Sequence, residues 1–295
     1  MGRTEGPQYP WRTGDRLVGR RRERDRWSDP TRLFAFPPLG EVKRVHGRAL
    51  KVLVIDIGGS HVKCALTNRK QGIRFRSGPG MTPDEMVSQV LKRTRRWRFD
   101  VIAVGYPGVV RDNAPATEPV NLGPGWVGFD FRTPLAHPVR MINDAAMQAM
   151  GNYVGGTLLF LGLGTGLGTA LIVDGTVVPL ELGHLSCHKG HDYEYELGER
   201  GRRRLGGKKW KARVAQVVEG FRQALLPDDI VLGGGNTVRL KRLPPHTRRG
   251  HHSDAFHGGR RLWERRDPPG NGTAAKRSKA EIRAVRPSRG AEVRV

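Results

Sequence analysis

Two stretches of this sequence share one pattern: an apolar run, a glycine-rich turn and a second strand-like run. The first covers residues 51–67, where KVLVIDIG is followed by GS and then by HVKCALT. The second covers residues 157–175 and reads TLLFLGLGTGLGTALIVDG. Short apolar or alternating runs separated by glycine are typical of β-hairpins. A chain that repeats such a unit, with helical segments after each copy, is restricted to a two-part α/β fold.

The segments around these two units alternate between strand and helix patterns. Pro83 followed by Asp84 and Glu85 indicates a helix start, because proline fits the first turn and acidic groups favour the helix dipole. Apolar residues at helical spacing from Trp210 to Leu225 indicate the clearest amphipathic helix. Further strands are predicted at 100–108, 139–144 and 228–236, and a further helix at 144–153. The pattern predicts two similar α/β subdomains facing a cleft.

The second unit is long enough to be tested as a membrane span, which needs about 17–25 residues. Glycine stands at every second position from Gly162 to Gly168, which disfavours a helix and favours a turn between strands. The apolar patch from Leu33 to Phe36 is shorter than the roughly 7–15 residues of a secretory signal. The two cysteines, Cys64 and Cys187, are too few for a disulfide scaffold. We expect a cytoplasmic protein with no membrane partner.

The net charge of +24 suggests a polyanionic partner, but the charge is unevenly distributed. Residues 1–47 carry +5 and residues 246–295 carry +8, and both stretches lack sustained helical or strand periodicity. We therefore predict basic disordered tails at 1–47 and 246–295. Between them we expect an N-terminal subdomain at 48–155 and a C-terminal subdomain at 156–245, which together carry +11.

The glycine turns of the two hairpins are the strongest sign of chemistry in the chain. Without side-chain bulk, successive N–H groups of such turns can point at an anion. Asp56 ends the first strand, where it could orient a hydrated Mg²⁺, and Lys63 could reach the same place. We predict that phosphate is held by Gly58, Gly59 and Ser60 of the first turn and by Gly164, Thr165 and Gly166 of the second.

Neither turn has the spacing of a Walker loop or of a dinucleotide-binding loop. One such turn alone would be interpreted as a tight hairpin. A third glycine cluster, formed by Gly233, Gly234, Gly235 and Asn236, ends the strand predicted at 228–236. Two opposed turns together with this third cluster indicate a phosphate clamp.

The order of several motifs resembles that of the ROK-family sugar kinases, which belong to the actin-like ATPase superfamily. These motifs are DIGGSHVK, GYPGVV, NDAAMQAMG, LGTGLGTALIVDG, ELGH and LGGGN, and they span about residues 50–245. GHD at 190–192 and Lys208 to Trp210 resemble the polyphosphate glucokinase branch most closely. The resemblance implies an α/β fold of two actin-like (ribonuclease H-like) subdomains. It also implies a glucokinase that uses Mg²⁺ and moves a terminal phosphate from polyphosphate or ATP to the 6-hydroxyl of glucose.

The resemblance also assigns roles to individual residues. Asp144, at a predicted strand-to-helix junction, matches the catalytic aspartate, and its alternative role is a helix N-cap. Gly233, Gly234, Gly235 and Asn236 match the turn that meets a nucleotide or distal phosphates. The residues that match sugar-binding positions are Asn121, Asn143, Asp144, Glu181 and His184, with Trp126 shaping the same pocket.

A metal site is suggested by the His184, Cys187, His188 and His191 cluster. Many ROK proteins carry a structural zinc on three cysteines and a histidine after this point, but this chain has a single cysteine there. We predict no structural zinc and local polar contacts for His188 and His191. Members of the family commonly form homodimers, so a homodimer is also expected.

The basic residues of the core can be interpreted as a binding track for the phosphate donor or as a solvated surface. A polyphosphate chain needs a track of positive charge. Lys92 to Arg98, on one helix end, is interpreted as a solvated face. A second cluster lies beside the sugar motif and is either a donor track or another solvated face: Arg200, Arg202, Arg203, Arg204, Lys208, Lys209, Lys211 and Arg213.

The sequence departs from the family pattern after Leu243 to His246, where only Gly258, Gly259, Leu262 and Trp263 keep a trace of the expected final helix. That helix is expected to pack on the C-terminal subdomain, and a reading-frame change near residue 247 would explain the departure. Alternative functions are an ATP-dependent ROK kinase for another hexose, or an inactive sugar-binding or regulatory protein. Residues 1–50 show no helix-turn-helix pattern, so no nucleic-acid partner is expected.

Overall fold

The computed structural model describes residues 34–35, 44–45, 48–69, 71–178, 180–188, 190–251 and 253–264. Most of the tail predicted at 1–47 and the part of the C-terminal tail beyond residue 264 lie outside the described residues. None of the described helices combines the length and the apolar character that a membrane crossing requires.

The strands fall where the sequence alternates between apolar runs and turns. Their bounds in chain order are β1 (Phe34–Ala35), β2 (Arg44–Val45), β3 (Arg48–Ala49), β4 (Val52–Ile57), β5 (His61–Leu66), β6 (Ile73–Arg76), β7 (Val101–Tyr106), β8 (Val110–Arg111), β9 (Ala114–Pro115), β10 (Val139–Asn143), β11 (Thr157–Leu163), β12 (Leu167–Val173), β13 (Thr176–Val178), β14 (Ser186–His188), β15 (His191–Asp192), β16 (Asp229–Gly233) and β17 (Arg248–Arg249).

The helices begin at residues that satisfy free backbone N–H groups. Thr82 caps the first helix by accepting from the Glu85 N–H at 3.3 Å, and Pro83 fits its first turn. The helices are α1 (Pro83–Thr94), α2 (Arg132–Leu135), α3 (Asp144–Asn152), α4 (Tyr193–Leu197), α5 (Glu199–Leu225) and α6 (Asp254–Arg261), with 3₁₀ turns at Leu182–His184 and Gly235–Arg239. Gly206, at φ 73°, interrupts α5.

Two sheets are built around the two predicted hairpins. In the N-terminal sheet the order is β10-β7-β4-β5-β6, with β4 antiparallel to β5 and parallel to β7. In the C-terminal sheet the order is β1-β13-β12-β11-β16-β17, with β11 antiparallel to β12 and parallel to β16. The repeated hairpin-plus-parallel-strand arrangement confirms the predicted α/β fold of two actin-like subdomains.

Among the described residues, the core has three clusters of buried apolar side chains. One lies between the N-terminal sheet and α1, and another lies between the C-terminal sheet and α5. Trp210, Val214 and Phe221 of α5 are buried, as the helical spacing predicts. The third cluster joins both sheets with α3 and α6, and it includes Val54 and Phe160.

Residues 248–261 correct the expectation for the C-terminal segment. Arg248 and Arg249 form β17, which pairs in parallel with β16, and residues 254–261 form α6. The prediction of a structureless tail from residue 246 is therefore wrong for this stretch. The helix packs mainly on α3, β4 and β7, whereas the expectation was packing on the C-terminal subdomain. The strand β17 is a pair of arginines and α6 has only eight residues with few apolar side chains, so both are too short for a periodic pattern to be recognised in the sequence.

The side chains of this segment bind the rest of the fold. Arg248 donates to Asp229 at 2.6 Å, and Arg261 donates to the carbonyl of Tyr153 at 2.9 Å. Trp263 donates from Nε1 to the carbonyl of Ile102 at 3.1 Å. These contacts make residues 248–264 part of the core packing. The reading-frame change near residue 247 stays a prediction.

Candidate functional site

A cleft of about 900 Å³ lies where the ends of β4, β10, β11 and β16 meet. It gathers residues from all the predicted motifs, which are far apart in the chain. The predicted residues that line it are Asp56, Gly58, Gly59, Ser60, Lys63, Asn121, Asn143, Asp144, Gly164, Thr165, Gly166, Glu181, His184, Gly234, Gly235 and Asn236.

Two residues expected near the site do not line the cleft. Gly233 belongs to β16, where a Cβ would collide with the ring of Phe160, so its lack of a side chain serves sheet packing. Trp126 is fully buried in the core and donates from Nε1 to the carbonyl of Met81 at 3.3 Å. Both therefore support the walls of the cleft from behind.

The two glycine turns face each other across the cleft. Ser60 Oγ lies 3.4 Å from Thr165 Oγ1, although the two residues are 105 positions apart in the chain. From the third turn, Asn236 donates to the carbonyl of Gly164 at 3.0 Å. All three glycine-rich turns therefore meet at one end of the cleft.

The N–H groups of these turns divide into two kinds. Gly58 N–H donates to His61 O at 3.0 Å and Gly164 N–H donates to Gly166 O at 3.1 Å, so both close their own turns. Within the described residues, the next two N–H groups of each turn have no acceptor, and they belong to Gly59, Ser60, Thr165 and Gly166. These are the groups available to an anion.

Asn121 reaches the first turn because Gly59 lacks a side chain. A Cβ at Gly59 would lie 2.8 Å from the Cβ of Asn121. The loop that carries Asn121 is held by Glu118, whose carboxylate accepts the N–H groups of Trp126 at 3.1 Å and Val127 at 3.2 Å. The role of Glu118 was not predicted from the sequence. Its partners are backbone N–H groups eight and nine residues later, and no sequence motif marks such a contact.

Asp144 occupies the first turn of α3, directly after β10. The N-cap of this helix is Asn143, whose Oδ1 accepts the Ala146 N–H at 3.1 Å and whose Nδ2 donates to Gly108 O at 3.2 Å. The alternative role of Asp144 as the cap is therefore wrong. Its Oδ1 accepts the Ala145 N–H at 2.8 Å, which fixes the carboxylate toward the cleft.

The surroundings of Asp144 disfavour its charge. Desolvation in the cleft, and then the negative charge of Asp56, raise the pKa of Asp144 to about 8. The Ala145 N–H and the charge of Lys63 act in the opposite direction. A carboxyl group with a pKa close to neutrality is suited to proton transfer.

Glu181 also acts on the Asp144 carboxyl, and its negative charge raises the pKa of Asp144 further. Burial raises the pKa of Glu181, while the nearby His184 opposes the rise. His184 Nδ1 lies 3.9 Å from Asp192 Oδ2. Asp192 also caps α4 by accepting the Tyr195 N–H at 2.7 Å, so α4 helps to place His184.

The described residues contain no group of three or more His, Cys, Asp or Glu side chains arranged to hold a metal ion. The absence of a structural zinc site stays a prediction. His191 stacks on Tyr195 with ring centroids 4.0 Å apart. Asp56 fits a Mg²⁺ site of the kind completed by substrate phosphates, because Lys63 binds its Oδ2 and no described donor binds its Oδ1.

Four of the eight basic residues of the cluster on α5 form ion pairs with described acids, and Arg213 is one of them, with Glu196 at 3.4 Å. Arg202 and Arg203 bind Glu199 at 2.6 and 2.8 Å, and Arg204 binds Glu196 at 2.8 Å. From this cluster, Arg203 is the member that lines the cleft, together with Arg239 from the 3₁₀ turn. Other cleft residues that sequence reasoning missed are His61, Gln148, Glu194 and Glu199.

Comparison with known proteins identifies the family. The profile described as "ROK family" matches residues 52–201, which contain both predicted hairpins and Asp144. This chain belongs to the ROK family. The matched range ends at the start of α5, so the family signal rests on the cleft-forming elements.

Among similar proteins is the polyphosphate glucokinase of Mycobacterium leprae, with 27% identity over 213 residues. The match covers 65% of this chain and 65% of that protein, so the chain spans less than two thirds of that relative. The kanosamine kinase of Amycolatopsis mediterranei is 24% identical over 65% of this chain and 83% of its own. The inorganic polyphosphate/ATP-glucomannokinase of Arthrobacter sp. strain KM shares the fold, with a TM-score of 0.66 and 23% identity over 73% of this chain and 99% of that one.

Proposed function

We propose that this chain is a sugar kinase that transfers the terminal phosphate of polyphosphate or ATP to the 6-hydroxyl of glucose. The observation that carries the proposal is the position of Asp144. Its carboxyl, with a pKa of about 8, shares one cleft with the sugar-binding candidates Glu181 and His184 and with two opposed anion-binding turns.

In this reaction Asp144 accepts the proton of the 6-hydroxyl while the hydroxyl oxygen forms a bond to the terminal phosphorus. The bond from that phosphorus to the bridging oxygen breaks, and ADP or a shortened polyphosphate leaves. A sugar hydroxyl is a weak nucleophile, so a fixed acceptor for its proton lowers the barrier. Asn121, Asn143, Glu181 and His184 are proposed to orient the sugar so that a single hydroxyl faces Asp144.

The phosphate being transferred is proposed to lie between the two turns. The free N–H groups of Gly59, Ser60, Thr165 and Gly166 can bind its oxygen atoms, and Lys63 adds positive charge. Asp56 is proposed to hold Mg²⁺ through its Oδ1, and the ion would neutralise charge on the phosphates. Gly234, Gly235 and Asn236 are proposed to meet the phosphates nearer the leaving group.

An ATP-dependent kinase for another hexose is the second candidate. It is supported by the similarity to a kanosamine kinase as well as to a polyphosphate glucokinase, because these two similar proteins are kinases for different sugars. Epimers and amino sugars differ at one position of the ring, and the same Glu and His side chains can bind several of them.

The test is an assay of phosphate transfer with glucose, mannose and kanosamine as acceptors and with polyphosphate and ATP as donors. We expect glucose to be the best acceptor and both donors to be used. Asp144→Asn should lower kcat by roughly 10²–10⁴-fold, while the Kd for glucose changes less than about threefold. If the unmodified chain and Asp144→Asn were equally inactive while both still bound glucose, the protein would be a sugar-binding protein without catalysis.

A further inference from the structure

The face of the N-terminal sheet that carries Asp56 continues as a basic surface across β5 and β6. Lys63 lies opposite Asp56 on one side and opposite Arg74 on the other, so the three residues form one row across β4, β5 and β6. His61 lies opposite Arg76 in the next row. With strands about 4.8 Å apart, Arg74 lies roughly 10 Å from the strand of Asp56.

Strand β6 is hydrogen-bonded to the first glycine turn through Ser77. This places the basic surface beside the end of the cleft where the glycine turns meet, which is called the phosphate end below. Ser77, directly after Arg76, donates from its N–H to Ser60 O at 3.1 Å and from Oγ to Gly58 O at 2.5 Å. His61 and Lys63 themselves line the cleft. A chain of phosphates that extended from the glycine turns across this face would therefore reach Arg76 before Arg74.

The two arginines of this surface differ from Lys63, which is paired with Asp56. Both Arg74 and Arg76 are exposed, and neither has an ion-pair partner among the described residues. This contrasts with α5, where Glu196 and Glu199 bind most of the arginines nearest the cleft. Burial lowers the pKa of His61, and the positive charges of Arg74, Arg76 and Lys63 add to this effect, so these basic groups lie close to one another at the mouth of the cleft.

The opposite face of β6 has a different task. Phe75 points into the core, and Arg93 of α1 lies over its ring at 4.8 Å. Successive residues of a strand face opposite sides of the sheet, so Arg74 and Arg76 are separated from α1 by the sheet itself. Charged residues on an edge strand also prevent strand pairing between molecules, and that role needs no ligand.

We propose that Arg74 and Arg76 bind the phosphates of a polyphosphate donor that lie beyond those held between the two glycine turns. The inference rests on the proposed function, because it assumes that the terminal phosphate occupies the cleft. Arginine suits this task, since its planar group donates two parallel hydrogen bonds to phosphate oxygens. The β5–β6 face then selects long chains, because tripolyphosphate and ATP end before they reach both arginines.

The test is the dependence of KM on donor length in the full chain with Arg74→Gln and Arg76→Gln combined. We expect the KM for long-chain polyphosphate to rise roughly tenfold, with the KM for tripolyphosphate and ATP within about twofold of the unmodified chain. The matched control combines Arg95→Gln and Arg96→Gln, which removes the same charge from exposed positions at the end of α1. An unchanged KM for long chains, an equal rise in the control, or an equal rise for every donor would overturn the proposal.

Binding to the Asp144→Asn chain separates this inference from the proposed function. We expect long-chain polyphosphate to bind that chain, and the two arginine substitutions to weaken the binding roughly tenfold. If this holds while no phosphate transfer is found in the unmodified chain, the proposed function fails and the surface stands as a polyphosphate site. The same binding measurement is made with double-stranded DNA. If DNA binds as tightly as polyphosphate and the two arginine substitutions weaken both equally, the surface is a general polyanion site and the proposal is overturned.

Discussion

Lys63 Nζ donates to Asp56 Oδ2 at 3.1 Å, and both residues act on the carboxyl of Asp144 with opposite effect. Asp56 raises the pKa of Asp144 and Lys63 lowers it. The pair therefore adjusts the proton affinity of the proposed base from the phosphate end of the cleft. A phosphate donor or a Mg²⁺ ion that binds there will change the same balance.

The first prediction concerns the pH dependence of catalysis. Asp144 accepts a proton only when ionised, so kcat/KM should rise with pH through the Asp144 pKa of about 8. Asp56→Asn should move this rise to lower pH, and Lys63→Gln should move it to higher pH, each by roughly one unit. The measurement is the pH profile of kcat/KM for the sugar. Shifts in the same direction in both variants would contradict the assignment of the titrating group.

The second prediction concerns stability. Because the folded-state pKa of Asp144 is raised above its unfolded value, its contribution to folding is full below pH ~4 and is lost as pH rises toward 8. In Asp144→Asn the side chain at position 144 cannot ionise, so the variant avoids the cost of a buried negative charge. At pH 9 its free energy of unfolding should exceed that of the unmodified chain by about 1–3 kcal/mol. Urea unfolding at pH 5 and pH 9 measures the difference, which should be larger at pH 9.

The third prediction uses the contact between Gly59 and Asn121. Gly59→Ala puts a Cβ 2.8 Å from the Cβ of Asn121, so the loop must move away from the turn. The KM for the sugar should rise at least roughly tenfold. Gly80→Ala is the control, because a Cβ there meets nothing within 4 Å. A similar change of KM in both variants would exclude the proposed contact as the cause.

The fourth prediction concerns Glu118, which we regard as a positioning residue for the loop that carries Asn121. Glu118→Gln replaces one carboxylate oxygen by an amide that cannot accept, so at least one N–H among Gly125, Trp126 and Val127 loses its acceptor. The KM for the sugar should rise several-fold with kcat nearly unchanged. Steady-state kinetics beside Glu85→Gln, an exposed carboxylate on α1, give the comparison.

The fifth prediction concerns two glycines in helices. Gly258 of α6 lies against the carbonyl of Met147, so Gly258→Ala forces α6 away from α3 and should cost about 2–4 kcal/mol. Gly220 of α5 faces open space, and Gly220→Ala should stabilise the chain by about 1 kcal/mol. Thermal unfolding of both variants should show changes of opposite sign.

The sequence allowed the two hairpins, the amphipathic part of α5 and most of the cleft to be predicted, because each depends on local spacing of apolar residues or glycine. The role of Asn143 as the cap of α3 was missed, since adjacent Asn and Asp side chains are equally suited to a cap. Residues 248–261 were also missed. Their stability comes from long-range partners such as Asp229 and Tyr153, and no local pattern reports such contacts.

Helix α6 also sets the order in which the fold can be completed. It covers Val54 of β4, which precedes it by about two hundred residues, and its neighbour Trp263 binds the carbonyl of Ile102 in β7. During synthesis the N-terminal sheet leaves the ribosome first, yet this face stays open until the chain past residue 261 has emerged. The cluster shared by the two sheets is therefore the last part of the core to close, although its β4 and β7 residues are made early. Contacts of such long sequence separation slow folding.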